Sequence, residues 1–293
     1  MNKKLNTYHL IGSIHTISFK TLGLVDVPEA YKDTLVCSSR KSDGEIVTTC
    51  KLNLDKISTD IYSFKEYRRC WTEVLDSLGI ENPKLVRADF RLDSSDPEHY
   101  ERFAKLNRYL ISMFAVTYRV QNIYRSVNLF TEKQLSVAIK SSYIELENYD
   151  KAAESRGRDK AYSRFELRSK RMSGTDLKNE FTEHWFKRFD KAIQNIPKVQ
   201  QEYNTALIQK YNSGKNAFPV EFRSLTDFLI QYKNCIFSKN QLIELLSKFP
   251  EVKDASIRAT NFKKKYGADF YTSNQIQAAI NEIKRAIKAY FEN

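Results

Sequence analysis

Three short segments of the sequence alternate apolar residues with arginine, carboxylate and tyrosine side chains. Residues two apart share one face of a β-strand, so each segment predicts a strand with one apolar and one polar face. The polar sets are Arg87, Asp89, Arg91 and Asp93; Tyr143, Glu145, Glu147 and Tyr149; and Arg164, Glu166 and Arg168. Carboxylate oxygens suit a hard divalent cation such as Mg²⁺ or Mn²⁺, and arginine suits phosphate. Paired strands would therefore assemble a site for phosphodiester chemistry, although antiparallel sheets also commonly turn one charged face to solvent.

The same segments resemble a family of DNA-processing proteins. VRADFRLD at 86–93, ENYDKAAES at 147–155 and YSRFELRSKR at 162–171 are similar to rolling-circle replication initiators of Gram-positive plasmids and related relaxases of conjugative elements, the Rep_trans type. In that family a strand with acidic residues precedes a strand ending in Tyr-Asp/Asn-Lys, and a basic strand with a central Glu follows. The resemblance covers residues 85–171, less than a third of the chain.

The resemblance implies an enzyme that nicks one strand of double-stranded origin DNA through a tyrosine and Mg²⁺ or Mn²⁺. The protein would stay joined to the 5′ phosphate of the nicked single strand while a host helicase and a polymerase extend the free 3′ end. By position, Tyr149 would be the nucleophile. The candidate metal ligands or acid–base groups would be Asp89, Asp93, Glu147 and Glu166. A homodimer is a further expectation for initiators of this type.

The residue types around Tyr149 suit this chemistry. A tyrosine hydroxyl has a pKa of about 10, so it needs a neighbouring cation, base or metal to become nucleophilic. Lys151 and Arg164 would lower that pKa, and Arg168 would neutralise charge developing on the phosphate. The histidine-hydrophobic-histidine metal motif of the broader nicking superfamily is absent from the sequence, although His15 could join a carboxylate site. Arg87, Arg91 and Arg164 are further candidates for DNA binding.

The elements that would position these residues predict an α+β fold. Strands are expected at 8–19, 34–39, 45–54 and 85–93, and the turn Ser42-Asp43-Gly44 predicts a hairpin. Helices are expected at 63–79 and from 97 to about 122. The fold class is thus an antiparallel-rich sheet with packed helices, followed by a mostly helical C-terminal region. We predict a strand-nicking domain at 1–173 and a basic DNA-recognition region at 174–293, with Ser173-Gly174 as the boundary.

The charge of the chain is distributed unevenly. Its 293 residues, enough for two domains, include 48 Lys+Arg and 36 Asp+Glu, a net charge of +12. Residues 151–293 carry 27 basic and 16 acidic side chains, net +11, whereas residues 1–150 carry 21 and 20, net +1. This asymmetry favours a polyanionic partner that contacts the second half, as nucleic acid would. The eight glycines form neither GxGxxG nor a Walker A loop, which argues against mononucleotide hydrolysis.

Two predicted helices in the basic half resemble a helix-turn-helix. The first spans 237–250 with Ser238 as its N-cap, and the second spans 254–267 and closes at Gly267. The side chains that the second helix would present to DNA are Arg258, Asn261, Lys263, Lys264 and Lys265. Arg258 and Asn261 are able to read bases. An ordinary helical hairpin with a solvated basic face is an equally good interpretation.

The cysteines and the hydropathy of the chain predict its surroundings. Cys37, Cys50, Cys70 and Cys235 form no CxxC pair and are expected to be reduced thiols in a cytoplasmic protein. No run of 18 apolar residues occurs, so no membrane partner is expected.

Two other functions stay open alongside nicking. One is a replication initiator or regulator that binds DNA without cutting it, which requires only a continuous basic surface. The other is an RNA-binding structural protein that uses the aromatic and arginine-rich sheet face. The nicking function is the most demanding of the three, because it requires Tyr149 close to at least two carboxylates.

Overall fold

A single sheet forms the centre of the fold in the computed structural model, which describes residues 10–57, 62–94, 99–118, 136–154, 156, 163–172, 176–217, 219, 221–267 and 270–293. The strands within these ranges are β1 (Leu10–Leu22), β2 (Leu35–Ser42), β3 (Glu45–Asn53), β4 (Lys84–Ser94), β5 (Ser136–Lys140), β6 (Ile144–Tyr149) and β7 (Ser163–Ser169). They lie in the order β2-β3-β1-β4-β7-β6-β5, and neighbours from β2 to β6 are antiparallel. The predicted α+β class with an antiparallel-rich sheet is confirmed.

Helices dominate the chain after the last strand, as the sequence predicts. The α-helices of the described ranges are α1 (Phe64–Ser77), α2 (His99–Thr117), α3 (Lys151–Glu154), α4 (Leu177–Asn179), α5 (Trp185–Gln194), α6 (Ile196–Lys215), α7 (Leu225–Gln231), α8 (Lys239–Leu246), α9 (Ala255–Tyr266) and α10 (Ser273–Glu292). A π-helical turn, Glu180–His184, joins α4 to α5. Searched over the same ranges, none of these helices has the length and apolar character needed to cross a membrane.

The β2–β3 hairpin turns at Asp43 and Gly44, as the sequence predicts. Both residues have positive φ, 54° and 88°, a conformation that Gly and Asp adopt at lower cost than other residues. This turn sets a register in which Cys37 faces Cys50 directly, and the two form a disulfide. The expectation of reduced thiols is therefore wrong for this pair, because the hairpin register places two cysteines 13 residues apart opposite each other. Cys70 and Cys235 are buried free thiols.

The apolar face of the sheet packs against helices through aromatic side chains. Phe90 of β4 is fully buried and contacts Phe181, Tyr290 and Phe291, with ring centroids 5.1–5.9 Å apart. Gly12 of β1 makes this packing possible, since a Cβ there would lie 2.7 Å from the Phe90 ring. Burial of these large rings contributes to the hydrophobic stabilisation of this side of the sheet.

The chain divides into two compact units. One comprises residues 1–100, 140–187 and 280–293, and the other comprises 101–139 and 188–279. This division differs from the predicted boundary after residue 173, because both units are assembled from separated stretches of the chain. The predicted boundary residues Ser173 and Gly174 themselves lie outside the described residues.

The second unit contains the two helices that resemble a helix-turn-helix. Ser238 caps α8 by accepting a hydrogen bond from the Gln241 N–H, as predicted, but the helix ends at Leu246 rather than at Pro250. Asp254 caps α9 in the same way, and Gly267 ends it in the left-handed conformation, with φ 61°. Buried Ala259 and Phe262 hold one side of α9 against its unit, which leaves the other side for its polar residues.

Candidate functional site

The register of three antiparallel strands, β4, β7 and β6, assembles the polar face of the sheet. On β4 and β7, Asp89 is opposite Arg168, Arg91 is opposite Glu166, and Asp93 is opposite Arg164. On β6 and β7, Glu145 is opposite Arg168, Glu147 is opposite Glu166, and Tyr149 is opposite Arg164. Opposite residues of an antiparallel pair lie within side-chain reach of one another. The three predicted polar strand faces therefore form one surface, called the polar face from here on.

A tyrosine–carboxylate hydrogen bond lies at the centre of the polar face. The Tyr149 hydroxyl donates to Glu166 Oε1 over 2.6 Å, and both residues are buried, with 7% and 2% of their surface exposed. Burial raises the pKa of the Tyr149 hydroxyl well above its usual range, and the negative charge of Glu166 raises it further. Tyr149 is thus a phenol in the free protein, with a proton acceptor already in contact.

Arg168 contacts three carboxylates of the polar face. Its Nε donates to Glu166 Oε2 over 2.8 Å, its Nη2 lies 2.8 Å from Glu147 Oε2, and its Nη1 pairs with Glu145. Burial is the largest single influence and favours protonation of Glu166. The charges of Arg168 and Arg164 and the hydrogen bond from Tyr149 are among the influences that together outweigh it, so the pKa of Glu166 is lowered. The same carboxylates raise the pKa of Arg168 despite its burial. Glu166 is consequently ionised and able to accept a proton.

Arg164 is the second buried cation beside Tyr149. Its Nε and Nη2 bind the two carboxylate oxygens of Asp93 at 2.6 and 2.8 Å, the bidentate geometry for which guanidinium is suited. Burial opposes its charge, but the bonds to Asp93 prevail and its pKa is raised. Arg164 is 3% exposed, so this pair is held in a low-dielectric setting where charges interact strongly.

Two further arginines extend the polar face along β4. Arg87 forms a bidentate pair with Asp89 at 2.8 and 2.7 Å, and burial raises the pKa of Asp89 even though Arg87 opposes this. Arg91 donates to Ser13 Oγ over 2.6 Å and pairs with Asp55. Arg87, Arg91 and Arg164, predicted as DNA contacts, thus all have carboxylate partners within the protein.

A β-bulge in β1 brings His15 to the polar face. The register between β1 and β4 shifts between Ile14 and Thr16, which places an extra residue on β1. His15 Nδ1 lies 2.8 Å from Thr16 Oγ1, and its Nε2 lies 3.7 Å from Asp55 Oδ2. Burial lowers the pKa of His15 to about 4, with Glu166 opposing and three arginines reinforcing the shift. His15 is therefore a neutral imidazole at neutral pH.

Sequence reasoning missed Asp55 and Ser13. Asp55 follows β3 in the 3₁₀ turn Leu54–Lys56, so strand alternation does not include it. Ser13 shares its parity on β1 with Ile11 and His15, and small polar residues on a strand give only a weak signal. A detectable signal was present at Asn53, whose side chain accepts a hydrogen bond from the Asp55 N–H. Asx residues of this kind mark a turn after a strand.

Lys151 lies at the margin of the polar face. Its Nζ pairs with Glu154 over 2.8 Å and lies 5.9 Å from the centroid of the Tyr149 ring. Lys151 follows Tyr149 on α3, beyond the end of β6, so its contact with the tyrosine is to the ring face. Its position favours electrostatic support of the site over a direct contact with the hydroxyl.

The predicted DNA-reading residues lie in the second unit, on α9. Asn261, Lys263, Lys264 and Lys265 are exposed, whereas Arg258 is half-buried and lies 3.5 Å from Thr226 Oγ1. Lys263 and Lys265 lie 5.5 and 5.3 Å from the ring centroids of Phe270 and Tyr266. Four of the five predicted side chains are therefore open to a partner.

The carboxylates predicted as metal ligands are engaged by arginines. Asp89 binds Arg87, Asp93 binds Arg164, and Glu147 and Glu166 bind Arg168. Over the ranges that the structure describes, no three His, Cys, Asp or Glu side chains are grouped so that they could hold a metal ion. A divalent cation would have to displace arginine from several of these carboxylates, so the arrangement does not fit a preformed metal site.

Comparison of the chain with protein-family models, with curated proteins and with solved structures finds no match.

Proposed function

We propose that this protein is a replication initiator that nicks one strand of origin DNA through Tyr149. The observation that carries the proposal is the 2.6 Å hydrogen bond from the Tyr149 hydroxyl to Glu166, beside Arg164 and Arg168. These residues are a nucleophile, its proton acceptor and two cations able to stabilise charge on a phosphate. As expected from the resemblance to Rep_trans initiators, the partners would be double-stranded origin DNA, the nicked single strand, a host helicase and a second copy of the chain.

In the proposed reaction, the Tyr149 oxygen attacks the scissile phosphorus while its proton passes to Glu166. The bond from phosphorus to the 3′ oxygen breaks, and a 5′-phosphotyrosine forms. The 3′ oxygen leaves as a hydroxyl after taking a proton, which Glu166 can return. No bond energy is lost to water, so the reverse reaction reseals the strand without ATP. The raised pKa of Tyr149 keeps the nucleophile protonated until a phosphate is bound.

Arg164 and Arg168 would stabilise the charge that develops on the phosphate. Carboxylates fix the positions of both guanidinium groups in the free protein, and these pairs must partly open when a phosphodiester binds. A bound phosphodiester would take over hydrogen bonds now made to Asp93 and Glu147. His15, neutral and close to the charge of Glu166, would help to hold Glu166 in place.

The proposed reaction assigns no step to the predicted Mg²⁺ or Mn²⁺, and the assay tests whether such an ion is required. Asp89, Asp93, Glu147 and Glu166 are the ligand type that such an ion prefers. Each of them is neutralised by arginine, and we therefore derive no step through a metal. If an ion is required, binding of DNA must first rearrange these pairs.

The test is covalent capture of DNA. Supercoiled DNA that carries the origin of the element encoding the protein is incubated with Mg²⁺, with Mn²⁺ or with EDTA, and denaturing gels reveal a protein–DNA adduct. We expect relaxation and an adduct with the natural protein, and a loss of rate on the order of 1,000-fold or more for Tyr149→Phe, which lacks the nucleophile. Tyr143→Phe is the matched control, because Tyr143 belongs to the same predicted polar set but is 61% exposed. Nicking that survives Tyr149→Phe would overturn the assignment.

A second candidate function is DNA binding without cutting. The burial of Tyr149 favours it, because a nucleophile that is 7% exposed must be uncovered before it can reach a phosphate. In this function the polar face stabilises the fold, and α9 supplies the DNA contacts. Sequence-specific binding of the origin, with no adduct under any metal condition, is the result that this alternative expects. The RNA-binding alternative calls for exposed aromatic side chains along the sheet. Of the two tyrosines in the predicted polar sets, Tyr149 is buried, and Tyr143, which directly precedes β6, is exposed.

A further inference from the structure

A cleft lies between α1 and the end of α10, within the first unit. Its volume is about 550 Å³, which is in the range of small-ligand pockets. Phe64 at the start of α1 and Phe291 near the end of α10 form its aromatic wall, with ring centroids 4.9 Å apart. Phe64 also stacks on buried Tyr67 at an interplanar angle of 8°. The wall is thus held rigidly by its own packing.

Cations from successive turns of α1 line the same cleft. Lys65, Arg68 and Arg69 are exposed and lie on one side of the helix, at spacings of three and four residues. Arg69 pairs with Glu73 over 3.2 Å, and Glu292 adds a second carboxylate. In contrast, Lys65 and Arg68 form no ion pair with any residue that the structure describes. Two cations without a carboxylate partner in the described chain therefore lie next to an aromatic wall.

The start of α1 is not itself the anion site. Ser63 and Glu66 form a capping box, in which the Ser63 side chain accepts from the Glu66 N–H and Glu66 accepts from the Ser63 N–H. These bonds occupy the backbone donors of Ser63 and Glu66, and the Glu66 carboxylate at this helix end disfavours an anion there. We therefore assign a phosphate in this cleft to the side chains of Lys65 and Arg68.

We propose that this cleft binds a segment of single-stranded nucleic acid, with a base on Phe64 and phosphates on Lys65 and Arg68. Binding of single strands combines a basic groove with aromatic rings on which bases stack, and the cleft holds both. An acidic peptide would use the cations but gain nothing specific from the aromatic wall.

The cleft is separate from the polar face. Phe291 in its wall packs on Phe90, which belongs to the apolar face of β4, so the cleft lies on the opposite side of the sheet from Tyr149. The proposal therefore does not depend on the nicking chemistry. In a protein that nicks DNA, a site of this kind would hold part of the displaced strand away from the reacting phosphate.

The test is binding of fluorescent 12-nucleotide oligothymidine, measured by anisotropy at several salt concentrations with Tyr149→Phe protein, so that no cleavage occurs. Lys65→Gln/Arg68→Gln should flatten the slope of log K against log salt by about 1.4, since each phosphate contact to a single strand contributes about 0.7. Arg40→Gln/Lys41→Gln is the matched control, because it removes two exposed cations of β2 that form no ion pair within the described ranges. It should leave the slope unchanged.

The aromatic contribution is tested separately. Phe64→Leu keeps an apolar side chain of similar size but removes the stacking surface, and it should weaken oligothymidine binding about fivefold or more. Circular dichroism confirms that the variant is folded. Equal slope changes in the α1 and β2 variants, or unchanged affinity in Phe64→Leu, would show that the cleft does not bind the strand. A lost adduct in the nicking assay with intact oligothymidine binding would overturn the proposed function alone.

Discussion

Arginine and lysine serve two different roles in the polar face and in α9. Arg164 and Arg168 are buried or partly buried and contact carboxylates, so their charges are neutralised within the protein. Lys264 on α9 is exposed and has no ion-pair partner within the described ranges. Both regions are rich in cations. Of the two, only α9 has exposed positive charges that no carboxylate of the described ranges neutralises. The near-neutral balance of the first half of the chain is therefore compatible with a dense electrostatic site.

The largest loss of unfolding free energy is expected when a buried cation of the polar face is removed. In Arg168→Met, the carboxylates of Glu145, Glu147 and Glu166 lose their shared partner while staying close together. Leaving buried charges uncompensated typically costs about 3–5 kcal/mol of unfolding free energy. Urea unfolding followed by circular dichroism measures it for both units, and the fluorescence of Trp71 and Trp185 reports on the first unit.

Lys264→Met is the matched control for this loss. It removes one positive charge from an exposed position, where substitutions usually change stability by less than about 0.5 kcal/mol. If both variants changed the unfolding free energy equally, the distinction between the two regions would be wrong. Adding Glu166→Gln to Arg168→Met should recover part of the loss, because it removes one of the stranded charges.

Acidification should destabilise the first unit through His15. The pKa of His15 is lowered by burial from 6.5 to about 4 in the folded protein, so the unfolded chain binds the proton more tightly. Stability from this residue is complete well above pH 6.5 and is lost as the pH falls towards 4, because the unfolded state then gains a proton that the folded state lacks. The loss should be roughly 1.5 kcal/mol between pH 6.5 and pH 5.

The variant His15→Gln isolates this contribution from the carboxylates. The charged groups around His15 are Asp55, Glu166, Arg91, Arg164 and Arg168, and all of them remain in the variant. Its unfolding free energy should depend less on pH in this interval than that of the natural protein. Parallel pH profiles for the two proteins would show that His15 is not held neutral by the fold.

Removal of the central hydroxyl should have a smaller effect on stability. In Tyr149→Phe, Glu166 loses one hydrogen bond but keeps its pair with Arg168. A hydrogen bond to a charged group is worth about 1.5–3 kcal/mol, and the retained pair places the expected loss at the low end. Thermal unfolding of Tyr149→Phe beside Tyr143→Phe measures the difference. No difference would indicate that the hydroxyl has no stabilising contact in solution.

Strand alternation predicts which residues share a face but not what covers it. The parity of β4 places Arg87, Asp89, Arg91 and Asp93 together, and the structure confirms this side. The alternative of a solvated face is wrong for Asp89, Arg91 and Glu166, which are buried. Burial depends on parts of the chain that are distant in sequence, and the alternation of residues within one strand contains no information about them.

Prediction of the disulfide depends on the exact length of the hairpin turn. Cys37 lies six residues before Asp43, and Cys50 lies six residues after Gly44. The two-residue turn at Asp43-Gly44 pairs residues at equal distances from it, so these cysteines face each other. The predicted turn, Ser42-Asp43-Gly44, is one residue longer, and a three-residue loop would place Thr49 opposite Cys37. The His15 bulge is different, because an extra residue in a strand follows from its pairing with β4 and leaves no clear mark in the sequence.

Substitutions in α9 are expected to have the smallest effect on stability and the clearest effect on DNA binding. Substitution of Lys263, Lys264 and Lys265 by Gln should change the unfolding free energy by less than about 0.5 kcal/mol per site, because none of these side chains has a carboxylate partner in the described chain. The slope of log K against log salt for duplex DNA should flatten by about 0.9 for each lysine that contacts a phosphate. Fluorescence anisotropy with a labelled duplex measures this slope.

A triple variant of the sheet edge completes that experiment. This variant replaces Arg40, Lys41 and Lys51 with Gln. It removes three positive charges, as many as the α9 variant does, from exposed positions on β2 and β3. If the DNA contacts α9, this variant keeps the slope of log K against log salt of the natural protein, although its net charge is reduced by the same amount as in the α9 variant. Equal flattening in the two variants would mean that DNA responds to the total charge of the chain. The exposed cations of α9 would then differ from those of the polar face only in lacking carboxylate partners within the described chain, with no dedicated role in binding.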